Sequence, residues 1–196
     1  MQVGDADLVR HPVAPWPGPE LAITAACNVR DDDFFVWCFT VAGDVGGIVW
    51  PAPASNVRVD GLWRHTCFEV FVGHAGMGSY FEFNLAPSGA WAAYAFAGYR
   101  APAEPPQVPT PAISATRGDC RLSLTAVIDP RPWLAQGAAT TLEVGLSAVL
   151  EHQSGGLGYF ALHHPGERPD FHDRRGFVLR VEPERQAESA ARERRQ

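Results

Sequence analysis

Glu69, Glu82 and Asn84 are the residues of this chain whose types and spacing suggest chemistry. They fall in the stretch 62–100, LWRHTCFEVFVGHAGMGSYFEFNLAPSGAWAAYAFAGYR, amid aromatic residues. Side chains of a strand alternate between its two faces. In 67–72, Cys67, Glu69 and Phe71 share one face, and Phe68, Val70 and Val72 the other. In 80–85, Tyr80, Glu82 and Asn84 share one face, and Phe81, Phe83 and Leu85 the other. The second set of each strand is purely apolar and is predicted to face the core. Glu69, Glu82 and Asn84 then converge on the opposite face, in a register that sets Glu69 against Glu82 or against Asn84. In either register their Cβ atoms fall within roughly 4.5–8 Å of one another. Such a face is either simply solvated, as one side of an antiparallel sheet often is, or built for a ligand. Tyr80, Trp91, Trp63 and Arg64 nearby favour the ligand. Carboxylate, amide and guanidinium groups beside aromatic planes suit a polyhydroxylated molecule, with rings to stack on and paired hydrogen bonds to vicinal hydroxyls.

The elements that must position these groups read as strands. Strand patterns cover 20–30, 34–42, 66–73, 79–86, 91–97, 112–117, 120–128, 141–150, 157–163 and 176–182. Asp31-Asp32-Asp33 and the Pro-containing stretch from Asp129 to Leu134 read as turns, the latter with room for one helical turn. Segments 48–51 and 57–60 read as loop or edge. Residues 101–112 hold five prolines and are predicted to be a surface loop, since proline cannot donate into a ladder. No segment sustains helical periodicity. The expectation is an all-β fold, an antiparallel two-sheet β-sandwich, as one domain over 1–183 with a polar tail over 184–196.

Composition removes several function classes. The net charge is −6 and the 16 basic residues form no stripe, so no nucleic-acid partner is expected. All basic residues are Arg, which excludes Schiff-base, P-loop and Ser–Lys chemistry. The start lacks an apolar signal region and no run could span a bilayer, so the expected location is cytoplasmic with no membrane partner. Cys27, Cys38, Cys67 and Cys120 show no metal-type spacing and are expected as free thiols. His163, His164, Asp170, His172 and Asp173 could ligate a divalent metal, but their spacing matches no zinc motif, and a hydrogen-bonded loop is the favoured reading. Neither Ser88 nor Ser154 lies in a GxSxG elbow.

The blocks CFEVFVG and YFEFNLAPSGAW, with Tyr80, Glu82, Asn84, Pro87 and Gly89, resemble the DOMON-like superfamily, which is related to family 9 carbohydrate-binding modules. The later GYFALHHPGERPDFHDRRGFVLRV resembles the closing strands of a bacterial DOMON-like group, so the likeness covers most of 7–182. It implies a sandwich that binds sugars or haem in different members. For the sugar-binding members it points to Trp63, Arg64, Glu69, Glu82, Asn84 and Trp91. Haem-binding members use an axial Met and His, whereas this chain has only Met1 and Met77.

The resulting expectation is a non-catalytic domain that takes a small-molecule ligand, a saccharide by its chemistry, with no cofactor. Its expected site is Trp63, Arg64, Glu69, Tyr80, Glu82, Asn84, Trp91 and His172, with the loop from His163 to Asp173 as a rim that supplies at most one direct contact. The alternatives are a sugar-active hydrolase or isomerase using Glu69 and Glu82 with His172 or His65, a haem- or metal-binding domain, and a protein-interaction module.

Overall fold

The computed structural model describes residues 2–13, 16–30, 34–104, 107–131 and 141–182. The Asp31–Asp33 turn, most of the segment after Asp129 and the tail from 184 lie outside the described residues. The described chain forms twelve strands: β1 (Gln2–Arg10), β2 (Leu21–Val29), β3 (Phe35–Gly43), β4 (Cys67–His74), β5 (Tyr80–Leu85), β6 (Trp91–Gly98), β7 (Ala101–Pro102), β8 (Ala112–Arg117), β9 (Arg121–Ile128), β10 (Leu142–Glu151), β11 (Leu157–Ala161) and β12 (Leu179–Val181). All the ladders are antiparallel.

One sheet has the order β1-β2-β3-β9-β8, and the other runs β7-β6-β5-β4-β10-β11. β1 links them. Its length through Leu8 pairs with β2, and its last residues, Val9 and Arg10, pair with β11. This strand was not legible as one, because the Gly4-Asp5-Ala6-Asp7 stretch breaks the apolar alternation. The ladder with β2 also shifts register between Val3 and Ala6. The Pro-rich stretch adds the two-residue edge strand β7, with Pro102 at the sheet margin where a missing donor costs nothing.

The core lies between the sheets. Trp37, Phe39 and Val41 of β3 and Leu122, Leu124 and Ile128 of β9 meet Phe68, Val70, Phe81, Phe83 and Leu85 from the second sheet. Phe39 and Phe68 touch across the gap with ring centroids 5.0 Å apart. The expected phase of β4 and β5 therefore holds, and Glu69, Glu82 and Asn84 lie on the outer face of the second sheet.

That outer face is covered. β11 and β12 both pair along the same edge of β10, β11 opposite Ser147–Glu151 and β12 opposite Leu142–Val144. The intervening residues 162–178 have no room in the sheet, so they leave its edge and fold over its outer face. Two glycines clear their seat. A Cβ on Gly145 would stand 2.9 Å from the Phe177 ring, and one on Gly73 would collide with the Arg174 guanidinium. Arg174 donates to Ser79 O, His74 O and Glu143 Oε2 (2.7 Å), which fixes the returning chain. Phe177 packs with Phe71 and Tyr80 into a second small apolar cluster on this face.

Candidate functional site

A cleft of about 350 Å³ opens between the outer face of the second sheet and the 162–178 segment. Glu69 and Phe71 reach it from β4, Glu82 from β5, Tyr94 and Phe96 from β6 and Val149 from β10. Tyr159 comes from β11, Trp63 from the 3-10 helix Leu62–Arg64, Arg100 from a turn, and Pro169, Phe171 and His172 from the covering segment.

The register is the one that sets Glu69 opposite Asn84, with Glu82 opposite Phe71. The two carboxyls are thus diagonal neighbours on adjacent strands. Both are buried, Glu69 to 2% and Glu82 to 5% exposure, so the face is not solvated. Asn84 is fully buried, donates through Nδ2 to Glu82 Oε1 at 2.6 Å, and does not line the cleft. It orients a carboxyl rather than meeting a ligand. Ser147, which faces Glu69 across the β4–β10 ladder, donates to Glu69 Oε2 at 3.2 Å.

Burial decides the charge of these groups. Desolvation raises Glu82 to about 7, against the lowering effects of the Asn84 hydrogen bond and of Arg100. Burial, and then the charge of Glu82, raise Glu69 well above the carboxylate range, with Ser147 acting the other way. His172 falls to about 4, first by burial and then by repulsion from Arg100, with Asp170 opposing. It is a neutral imidazole at pH 7, so its 3.7 Å approach to Glu82 Oε2 is not an ion pair. The neighbours fix its tautomer. Tyr80 Oη accepts from the Arg100 amide (3.2 Å), so its own hydrogen goes to His172 Nδ1 (2.9 Å). The proton of His172 is then on Nε2, facing Glu82. Arg100 sits in the left-handed region at φ 48 and donates to Asp170 Oδ1 at 2.9 Å. Asp170 also accepts from Tyr99 Oη and from the His172 amide. Backbone strain of this kind persists where the surroundings over-determine it.

The structure brings together Trp63, Glu69, Glu82 and His172 as lining residues, with Tyr80 and Asn84 holding two of them in place. Trp91 is a correction. It is 6% exposed and belongs to the inter-sheet core. The reason is turn length. Ala86 N donates to Ala90 O around Pro87-Ser88-Gly89, with Gly89 at φ 89, so Leu85 pairs with Trp91 and the two share the core face. The same turn puts Tyr94 opposite Glu82 and Phe96 opposite Tyr80, on the cleft face. These aromatics were missed, although a three-residue turn was readable from the sequence. Arg64 is also a correction: it is exposed and lies outside the cleft lining. Its guanidinium role passes to Arg100. His65 is exposed too, and holds Glu151 at 2.9 Å away from the cleft.

The covering segment contributes Pro169, Phe171 and His172 to the cleft lining. His164 donates to Val9 O (2.9 Å), and His11 packs edge-on against its ring, which ties the segment to β1. Among the described residues no group of three or more His, Cys, Asp or Glu is arranged around a metal position.

No family model matches the chain, and no curated protein matches it. Among solved structures it is similar to a protein from Bacteroides uniformis ATCC 8492 described as a candidate carbohydrate-binding protein, with a TM-score of 0.56 and 15% identity. The likeness covers 90% of this chain and 84% of that one. At that identity it establishes a shared fold, that of an antiparallel β-sandwich.

Proposed function

We propose that the chain is a non-catalytic, DOMON-like saccharide-binding domain whose ligand lies in the cleft under residues 162–178. One observation carries the reading: the cleft pairs an aromatic rim with inward polar groups. Trp63 and Tyr94 meet edge-to-face at 5.8 Å at its mouth, and Glu69, Glu82, Arg100 and His172 point into it. Rings offer stacking surface to the CH face of a sugar, while carboxyl oxygens and guanidinium fork bind its hydroxyls. The volume is at the lower end for a small-molecule site, which fits one or two sugar rings better than a long chain. The sandwich fold shared with a candidate carbohydrate-binding protein supports the same choice. The test is calorimetric titration with a panel of mono- and disaccharides, alongside haem and zinc. Saccharide binding that weakens at least tenfold in Glu82→Ala, about 1.4 kcal/mol, supports the reading. Binding of haem or zinc alone, with no response to any sugar, overturns it.

A second reading has one observation in its favour. A carboxyl raised to about 7 beside a neutral imidazole is also general acid–base equipment. Turnover of a bound glycoside that is lost in Glu82→Gln would establish it.

A further inference from the structure

Among the described residues, the two carboxyls of the cleft have no cation partner of their own. Arg100 is held by Asp170 at 2.9 Å, and those two neutralise each other. His172, at 3.7 Å from Glu82, is neutral. Glu69 and Glu82 are left with no cation of their own among the described residues. Their hydrogen bonding is also incomplete. Within the described residues, Ser147 is the one donor to Glu69 and reaches Oε2; Asn84 is the one donor within hydrogen-bond distance of Glu82 and reaches Oε1. Glu69 Oε1 and Glu82 Oε2 have none, although both side chains are more than nine-tenths buried and line the cleft. Neither oxygen accepts from a protein group among the described residues, and both carboxyls open onto the cleft, where a donor on a ligand can reach them. Around the pair stand aromatic rings from Trp63, Phe71, Tyr94, Phe96 and Phe171. Aromatic rings attract cations, and a carboxylate set among them is a common way to hold an ammonium.

Resting on the saccharide reading above, we propose that the preferred ligand is a sugar carrying a free, protonated amine, a hexosamine rather than a neutral hexose, with its ammonium between Glu69 and Glu82. An ammonium has three donors, enough for both bare oxygens and one more partner. The sugar ring then lies toward Trp63 and Tyr94. The groups that face the pair are Cys67 and Tyr80 from its own strands, Tyr94 from β6, Arg100 and its partner Asp170, and His172 from above. Arg100 is the one full positive charge in this set, and Asp170 offsets it. Binding of an ammonium drives a proton off the pair into solvent. Hexosamine affinity therefore rises from pH 5 to pH 7, until the amine begins to lose its own proton.

The experiment is calorimetric titration of the intact protein with D-glucosamine, D-galactosamine and D-mannosamine, with their N-acetyl forms, with the parent hexoses and with methylammonium. It is run at pH 5 and pH 7 in two buffers of different ionisation enthalpy. The expected result is that at least one hexosamine binds tenfold or more tighter than its N-acetyl form and its hexose at pH 7, and releases protons. In Glu69→Gln and Glu82→Gln, each checked for folding by circular dichroism, that ratio falls toward unity. Equal binding of hexosamine and hexose overturns the amine preference and leaves the saccharide reading standing. Methylammonium binding as tightly as the hexosamine overturns the proposal and the saccharide reading while keeping a cation site. No response to any of these compounds overturns both. Proton release is read on the unmutated protein, so it decides the matter even if a variant fails to fold.

Discussion

The outer faces of the two sheets behave differently. On β3 and β9, burial alternates residue by residue, with Trp37, Phe39, Leu122 and Leu124 inside and Thr40, Ser123 and Thr125 toward solvent. On β4 and β5 every residue is buried, on both faces. The local patterns look alike, with apolar residues alternating with polar or small ones. What differs is a segment about a hundred residues further along, which covers one outer face and leaves the other wet. A polar stripe on a strand thus means solvent or site according to what is laid over it. The covered stripe holds the carboxyls whose acidity is displaced.

The largest expected contrast is energetic. Phe83→Ala, in the core below the site, should cost ~3–5 kcal/mol, whereas Ser123→Ala on the wet face should stay within ~0.5 kcal/mol. Urea unfolding of both variants measures this, and equal costs would mean that β5 is not packed between two layers.

The next contrast is in pH. Glu82 is raised from 4.5 to about 7, so between those values the native state holds a proton that the unfolded chain has lost. Its contribution to stability is present below pH 4.5 and lost as pH rises through 7, by up to ~3 kcal/mol. Glu82→Gln should flatten that fall. His172, lowered from 6.5 to about 4, acts in the opposite sense: its contribution is full above pH 6.5 and is lost as pH falls toward 4. Denaturant midpoints from pH 4 to 8 would show both slopes. A Glu82→Gln variant with the unmutated slope would show that the covering segment does not exclude water.

A third contrast separates two tryptophans. Trp63→Ala should weaken the ligand about tenfold, ~1.4 kcal/mol, with little change in stability. Trp91→Ala should instead unfold like a core truncation. Reversed outcomes would put the cleft on the wrong side of β6.

Among changes on the covered face, the smallest effect expected is that of Gly145→Ala. The new methyl meets the Phe177 ring at 2.9 Å, which should cost ~1 kcal/mol, the low end of overpacking. It should loosen the cover and lower ligand affinity by less than Trp63→Ala does. Unchanged affinity would mean that the cover is not part of the site.

The sequence made one half of the cleft readable, for a physical reason. Alternation along CFEVF and YFEFN placed Glu69, Glu82 and Asn84 on one face and Phe68, Phe81 and Phe83 on the other, and adjacent strands keep such neighbours together. Trp91 failed because its face depends on the length of the Pro87–Gly89 turn, not on its own character. Arg100, Phe171 and Pro169 failed for a deeper reason. They come from turns and an irregular segment, where no period tells which way a side chain points. His172 was readable as polar and nearby, but its neutral state comes from burial that only the folded cover provides.

Because β11 and β12 share one edge of β10, the chain leaves that strand and returns to it within a few residues of where it left. The piece between is anchored at both ends to the same strand and seated by Arg174 and Phe177, so changes confined to 165–173 are expected to leave the strands in place. Three of the twelve residues that line the cleft, Pro169, Phe171 and His172, therefore ride on one loop. If the cleft holds the proposed ligand, exchanging 165–173 should change which ligand is preferred while leaving the fold's stability nearly unchanged.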